Sequence, residues 1–289
     1  MTVTMTTTST SRRSCVDPAC LDPAWAARGV AAGRRPTGAV GGGRVTATAD
    51  AQEVGTRLRI VRERITAAAS TAGRRPGDVR VIGVTKTHPP STCRAAVAAG
   101  VTDLGENRVQ EWLAKRPHVP DARWHLIGPL QRNKARDVIG HHVLLHGVDR
   151  RSLVDALSRR AEAAGSLQRL LIQVNVGDDP DKSGCSVHDA LDLVAYARSR
   201  PYLAVEGLMT IPPMTPSGQD ANDAARPHFA TLASLRDAAR ERFPEVVHLS
   251  MGMSADLEAA VTQGATMVRV GTGLFGPRGA GPWRGEERR

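Results

Sequence analysis

Eight runs of aliphatic and β-branched residues, most of them followed by a helix-like stretch, constrain this chain more than any other feature. The runs are VRVIGVTK (a strand over 80–86), TDLGEN, RWHLIG, VLLHGVD, RLLIQVNV, LAVEGLMTI, VVHLSMGM and TMVRVGTGLFG. Near-continuous apolar runs of this kind suit parallel strands covered on both faces, not strands with one wet face. Helical segments are expected after the first seven, at about 91–99, 108–115, 131–138, 151–164, 187–199, 222–242 and 255–263. Eight such units in about 225 residues predict a single (β/α)8 (TIM) barrel of the α/β class. The rival, a doubly wound open sheet, usually carries a G-x-G-x-x-G turn after its first strand, and here that turn reads VTKTHPPS.

Residues 1–48 read differently. Threonine and serine crowd the start, followed by Pro, Gly and Arg without period, and Gly41, Gly42 and Gly43 would break an amphipathic transit helix. A disordered tail or an upstream start codon is expected there, with the barrel over 49–278 and a flexible tail over 279–289. From Gln52 to Ala72, Leu58, Val61, Ile65 and Ala68 share one face, which predicts an extra N-terminal helix ending at Gly73 and Pro76.

Composition excludes several classes. No stretch approaches the roughly 20 apolar residues that cross a bilayer, so no membrane partner is expected. The net charge of +10 invites nucleic acid, but the basic residues are scattered and aromatics make up only 3%, leaving little to stack bases. No nucleic-acid partner is expected. Cys15, Cys20, Cys93 and Cys185 form no C-x-x-C pair, which points to a reducing, cytoplasmic setting. His141, His142 and His146 are read as leading into and occupying a strand, and no metal site is expected.

In a barrel of this kind the chemistry sits at the carboxyl ends of the strands. Lys86 ends the first run, where a partly desolvated amine can attack a carbonyl. The loops SMGMSAD and RVGTGLFG fall at strands seven and eight, where barrels hold phosphate. Gly252, Gly271 and Gly273 let backbone N–H groups converge, and Ser254 and Thr272 add hydroxyls. Taken singly, Lys86 also reads as an ion-paired lysine, and the loops as tight turns capped by serine. Together they describe a pyridoxal 5′-phosphate (PLP) site, with Arg269 placed to face the ring nitrogen. An aldolase-type lysine with substrate phosphate in the same cup stays open on the residues alone.

The ordered set VIGVTKTHP, LGENRVQE, WHLIGPLQRNK, QVNVGDDPDKSG, GLMTIPP and HLSMGMSADLEAAVTQGATMVRVGTGLFG resembles the YggS/PROSC family of pyridoxal phosphate homeostasis proteins. The resemblance runs from about residue 51 to 278 and implies a barrel similar to that of alanine racemase, with PLP held as a Schiff base on Lys86. It further implies phosphate contacts from Ser250, Ser254, Gly271 and Thr272, a ring-nitrogen contact from Arg269, and Asn107 close to the cofactor. Thr85 stands where many members have Ser, and His88 where many have a second lysine. Trp124 and His125 are read as mouth or wall residues, Glu106 as a hydrogen-bonding scaffold, Glu111 as a surface charge and Lys182 as loop structure. The family implies a PLP carrier that buffers or delivers cofactor and influences amino-acid and keto-acid balance. PLP-dependent apo-enzymes are expected as partners, and a monomer is expected over an oligomer. A PLP enzyme such as an amino-acid racemase is the alternative. The short stretch after the eighth strand, and the place of Tyr196 and Tyr202 near the fifth helix, argue against efficient turnover.

Overall fold

A computed structural model describes residues 44–276 of the chain; the tails expected at the two ends fall largely outside the described residues. The first helix, α1, runs Arg44–Thr71, beginning ahead of the expected Gln52 because RVTATADA contains no proline or glycine to stop it. Strand β1 (Arg80–Val84) follows, then α2 (Pro90–Ala98), β2 (Asp103–Glu106), α3 (Val109–Lys115) and β3 (Arg123–Pro129). The third crossover holds only a 3-10 helix, Arg132–Asp137, where a regular helix is predicted; left-handed Gly140 and His142 cut the segment short. Then come β4 (Leu144–Val148), α4 (Arg151–Ala163), β5 (Gln168–Gln173), α5 (Ala190–Arg198) and β6 (Leu203–Met209). Helix α6 (Ala221–Arg242), β7 (His248–Ser250), α7 (Leu257–Thr262), β8 (Met267–Val270) and the short α8 (Thr272–Phe275) complete the order.

The eight strands are parallel and close in sequence order, β1 pairing with β8 through Ile82↔Arg269 and Gly83↔Val270. That seam is covered by α1. Val54, Leu58, Val61, Ile65 and Ala68 are all buried, and a bidentate Arg64–Glu258 pair (2.6 and 2.8 Å) ties α1 to α7. Arg74 then donates to the carbonyls of Val261, in α7, and Ala265, just after it. No described helix is long and apolar enough to cross a membrane.

Strand residues divide into two populations because side chains alternate across a strand. One set packs against the helices: Leu104, Leu126, Leu145, Leu170, Leu208, Leu249 and Val268 join Leu153, Leu157, Phe229 and Leu257 in one continuous shell. Each fully buried aliphatic side chain there stabilises the fold by about 1.5–3 kcal/mol. The other set lines the barrel interior, where Ile82, Leu144, Leu171, Met209 and Met267 form a small separate apolar layer. Asp103, His125, His146, Ser250 and Arg269 also lie inside, a polar set that the reading of an aliphatic core does not anticipate. Backbones also approach closely: a Cβ on Gly207 would lie 2.0 Å from the carbonyl oxygen of His248, so only glycine fits there.

Candidate cofactor site at the carboxyl ends of the strands

Strand β1 stops at Val84, short of the predicted Lys86, because the chain turns there. Thr85 still pairs with β2 through its N–H to Gly105 O (3.0 Å), and its own carbonyl accepts from His88 N–H at 3.0 Å. Lys86 and Thr87 are therefore the two central residues of a four-residue turn. Thr87 has φ of 69°, the left-handed region that this turn position ordinarily gives to glycine. Lys86 is half-buried at the mouth. Across the β1–β8 seam, the imidazole of His88 lies 5.2 Å from the ring of Phe275 on α8, and Val84 is the neighbour a Cβ on Gly271 would meet, at 3.6 Å.

The loops after β7 and β8 press against each other. Gly252 turns with φ of 90°, and a Cβ on it would sit 2.3 Å from that of Ala260. The carboxylate of Asp256 accepts the N–H of Met253 at 2.5 Å and holds the loop from within. Ser254 Oγ accepts from Gly273 N–H at 3.2 Å, so Ser254, Gly271, Thr272 and Gly273 lie together beside the Lys86 turn. Asn107 follows β2 at the same end of the barrel, half-buried, and Gly128 packs so closely that its Cβ would be 2.4 Å from Asn107 O.

Arg269 and Ser250 belong to the barrel interior. Arg269 is 3% exposed and donates to Ser250 O (2.7 Å), Ser250 Oγ (2.8 Å) and Thr210 O (2.8 Å), all neutral acceptors. Burial lowers its pKa to about 10, against an opposing pull from Asp256, and leaves it charged at neutral pH. From Ser250 a chain of hydrogen bonds crosses the barrel: Ser250 Oγ to His146 Nδ1 (2.8 Å), His146 Nε2 to His125 Nδ1 (3.0 Å) and His125 Nε2 to Asp103 Oδ1 (3.0 Å). Burial works against the Asp103 anion, but bonds from His125 and Arg123 hold its carboxyl far below the usual range. Burial also pushes both imidazoles down, so they are neutral. An ionised carboxylate requires a proton on His125 Nε2, which makes Nδ1 an acceptor. His146 must then donate from Nε2 and accept at Nδ1, so the Ser250 hydroxyl donates to His146 and keeps its lone pairs for Arg269. One carboxylate at the amino end of β2 thus orders every proton up to the guanidinium.

Behind the Lys86 turn, on the helix side of the sheet, lies a second cluster. Glu106 is fully buried and accepts from Thr85 Oγ1 and from Lys115 Nζ, both at 2.7 Å. Burial pushes Glu106 up to about 7, although Lys115 pulls the other way. The scaffold expected of Glu106 is what its bonds describe. Glu111 is a correction: its side chain is only 15% exposed and turns inward to Lys115, because Trp112 and Lys115 bury that side of α3. Trp124 belongs to the outer shell, and Lys182 braces two loops by donating to Pro212 O at 2.6 Å. Tyr196 donates to Asp155 at 2.8 Å, away from the strand ends. An open depression of about 590 Å3, bordered by Leu58, Arg59, Arg62 and Glu63, lies on the flank of α1, not at the mouth. No group of His, Cys, Asp and Glu suited to a metal occurs among the described residues.

Residues 57–279 match the family described as "Alanine racemase, N-terminal domain". Within that class of barrel, the chain belongs to the family of pyridoxal phosphate homeostasis proteins. It is 42% identical over 225 residues to the "Pyridoxal phosphate homeostasis protein" of Aquifex aeolicus, covering 77% of this chain and 97% of that one. The protein of the same description from Escherichia coli K12 is 38% identical over 226 residues, covering 76% and 95%. Among solved structures, PipY of Synechococcus elongatus PCC7942 with PLP bound superposes with a TM-score of 0.63 at 36% identity, covering 74% of this chain and 99% of that one. Alanine racemase of Clostridium difficile shares the fold, with a TM-score of 0.63 at 15% identity over 76% of this chain and 56% of that one.

Proposed function

We propose that this chain binds PLP and serves PLP homeostasis, buffering or delivering the cofactor and so influencing amino-acid and keto-acid balance. The observation that carries the reading is the meeting of three groups at the β1–β8 seam: Lys86 in its turn, the glycine loops with Ser254 and Thr272, and the buried Arg269. The residues present fit the cofactor. The Gly252 and Gly273 positions leave no room for a side chain, which suits close approach of backbone N–H groups to a phosphate. Arg269 is a buried cation whose side-chain partners are neutral oxygens.

When bound, PLP supplies an aldehyde and an electron-withdrawing ring. In this reading Lys86 provides the amine that binds the aldehyde, Ser254, Gly271 and Thr272 hold the phosphate, and Asn107 borders the ring. Arg269 faces the ring nitrogen and, able to donate a hydrogen bond but not to transfer its proton, leaves it unprotonated. Ser250 acts through Arg269. A weakly activated ring and a binding site at a barrel mouth suit holding and release better than racemisation. The protein then works in the cytoplasm as a monomer that passes PLP to apo-enzymes. Borohydride reduction of PLP-loaded protein followed by peptide mapping is expected to place the pyridoxyl group on Lys86. Recovery on Lys134 or Lys182, with Lys86 unmodified, overturns the assignment.

A further inference from the structure

Of the four lysines, Lys115 alone is fully buried, and nothing in its local sequence marks it for function. Its ammonium has three N–H donors, and three acceptors surround it: Thr85 O at 2.8 Å, Glu106 Oε1 at 2.7 Å and Glu111 Oε2 at 3.1 Å. The first of these is the carbonyl immediately before Lys86. The last, Glu111 Oε2, also accepts the N–H of Thr87, immediately after Lys86, at 2.9 Å. Lys86 is thus flanked on both sides by peptide groups tied to one buried ionic cluster.

The turn itself gives that cluster something to hold. Thr87 is β-branched, and a β-branched residue at φ of 69° is strained. Left to its own preference, residue 87 would relax to negative φ and swing Lys86 away from the mouth. Such strain persists only where surrounding contacts over-determine it.

We propose that Lys115, Glu106 and Glu111 form a clamp that holds the strained Lys86–Thr87 turn and so positions the Lys86 amine for capture of the cofactor aldehyde. The proposal rests on the reading of Lys86 as the PLP-bearing residue. The three clamp residues are positioning residues; they act on the backbone on either side of Lys86, from the helix side of the sheet.

The test compares equilibrium PLP binding by the wild type, Glu111→Ala, Lys115→Met, Thr87→Gly and the Glu111→Ala/Thr87→Gly double variant, with circular dichroism and thermal unfolding run in parallel. Should Lys115→Met fail to fold, since it strands the buried Glu106 carboxyl, Glu111→Ala, at a partly exposed side chain, carries the test. Loss of one charge-assisted anchor is expected to weaken PLP binding about tenfold. Glycine favours the left-handed turn without help, so adding Thr87→Gly is expected to restore most of that loss. A merely structural role predicts a lower unfolding temperature with no change in affinity, or a loss that glycine does not restore, and either result overturns the clamp. Lys86→Ala separates the two claims. If it leaves the borohydride-fixed pyridoxyl group in place, the PLP assignment falls and the clamp with it. If it removes that group while Glu111→Ala binds PLP normally, the clamp alone falls.

Discussion

Asp103→Asn tests the polar interior most directly. The carboxylate is 1% exposed and receives His125 Nε2 at 3.0 Å and Arg123 at 2.7 and 3.2 Å, with Arg80 3.8 Å away. Hydrogen bonds to charged groups contribute about 1.5–3 kcal/mol each. Arg123 is 37% exposed, so solvent screens its share and it enters at the low end. The amide retains an acceptor oxygen but loses the charge, so the expected cost is about 3–4 kcal/mol, within the range for breaking one side of a buried pair. Urea unfolding at neutral pH, with an unchanged m-value, reads this as a shift in midpoint. The folded-state pKa of Asp103 is depressed, so its contribution is present above the unfolded value near about 4 and is lost as pH falls below it. The gap between wild type and variant should therefore narrow below about pH 4. A difference under about 1 kcal/mol at neutral pH would refute the account of Asp103 as the anchor of the interior chain.

The buried imidazoles make a second prediction. Burial lowers His125, His146 and His248, the last to about 4, so the unfolded chain takes up protons first and stability should fall as pH drops below about 6.5. Glu106 works in the opposite sense: its raised folded-state value of about 7 means ionisation weakens the fold as pH rises toward 7, partly offsetting the histidines. Denaturation between pH 5 and about 7.5 checks the balance, and a flat profile contradicts it. Third, removing the hydroxyls of Ser254 and Thr272 together should weaken PLP binding by one to several orders of magnitude, at about 1.5–3 kcal/mol per lost bond to phosphate. Pyridoxal, without the phosphate, should be nearly indifferent, and equal losses for both ligands would place the phosphate elsewhere.

Much of this architecture is legible in the sequence because strands buried on both faces must be apolar nearly throughout, and eight such runs leave few folds available. The same property hides which face is which. In RWHLIG and VLLHGVD a histidine sits among aliphatics, and only the three-dimensional alternation shows that His125 and His146 line the interior while Leu126 and Leu145 face helices. Glu111 and Lys115 are four apart, the spacing of an ordinary surface pair. The available signal is Trp112 between them, three residues before Lys115, which buries that face. The end of β1 was obscured for another reason: threonine at residue 87 does not announce a left-handed turn, and only Pro89 and Pro90 hint that the strand is over. By contrast, Lys86, Arg269 and the glycine loops were legible as a set because strand order brings their ends around to one seam.

The line from Asp103 to Arg269 has a consequence for how the two ends of the barrel communicate. A row of hydrogen bonds anchored on one anion has a single self-consistent arrangement of protons, and its neutral members offer no vacant place for another. An extra proton at either histidine forces the links above it to reverse or break. The buried Ser250 hydroxyl at the end of β7 is therefore oriented from the barrel floor, through proton order and without displacement of the backbone. Any nitrogen heterocycle seated against Arg269 meets a cation that can offer it a hydrogen bond but does not transfer the proton, so it must look to solvent for one. Such a cation leaves the ring it holds as it found it.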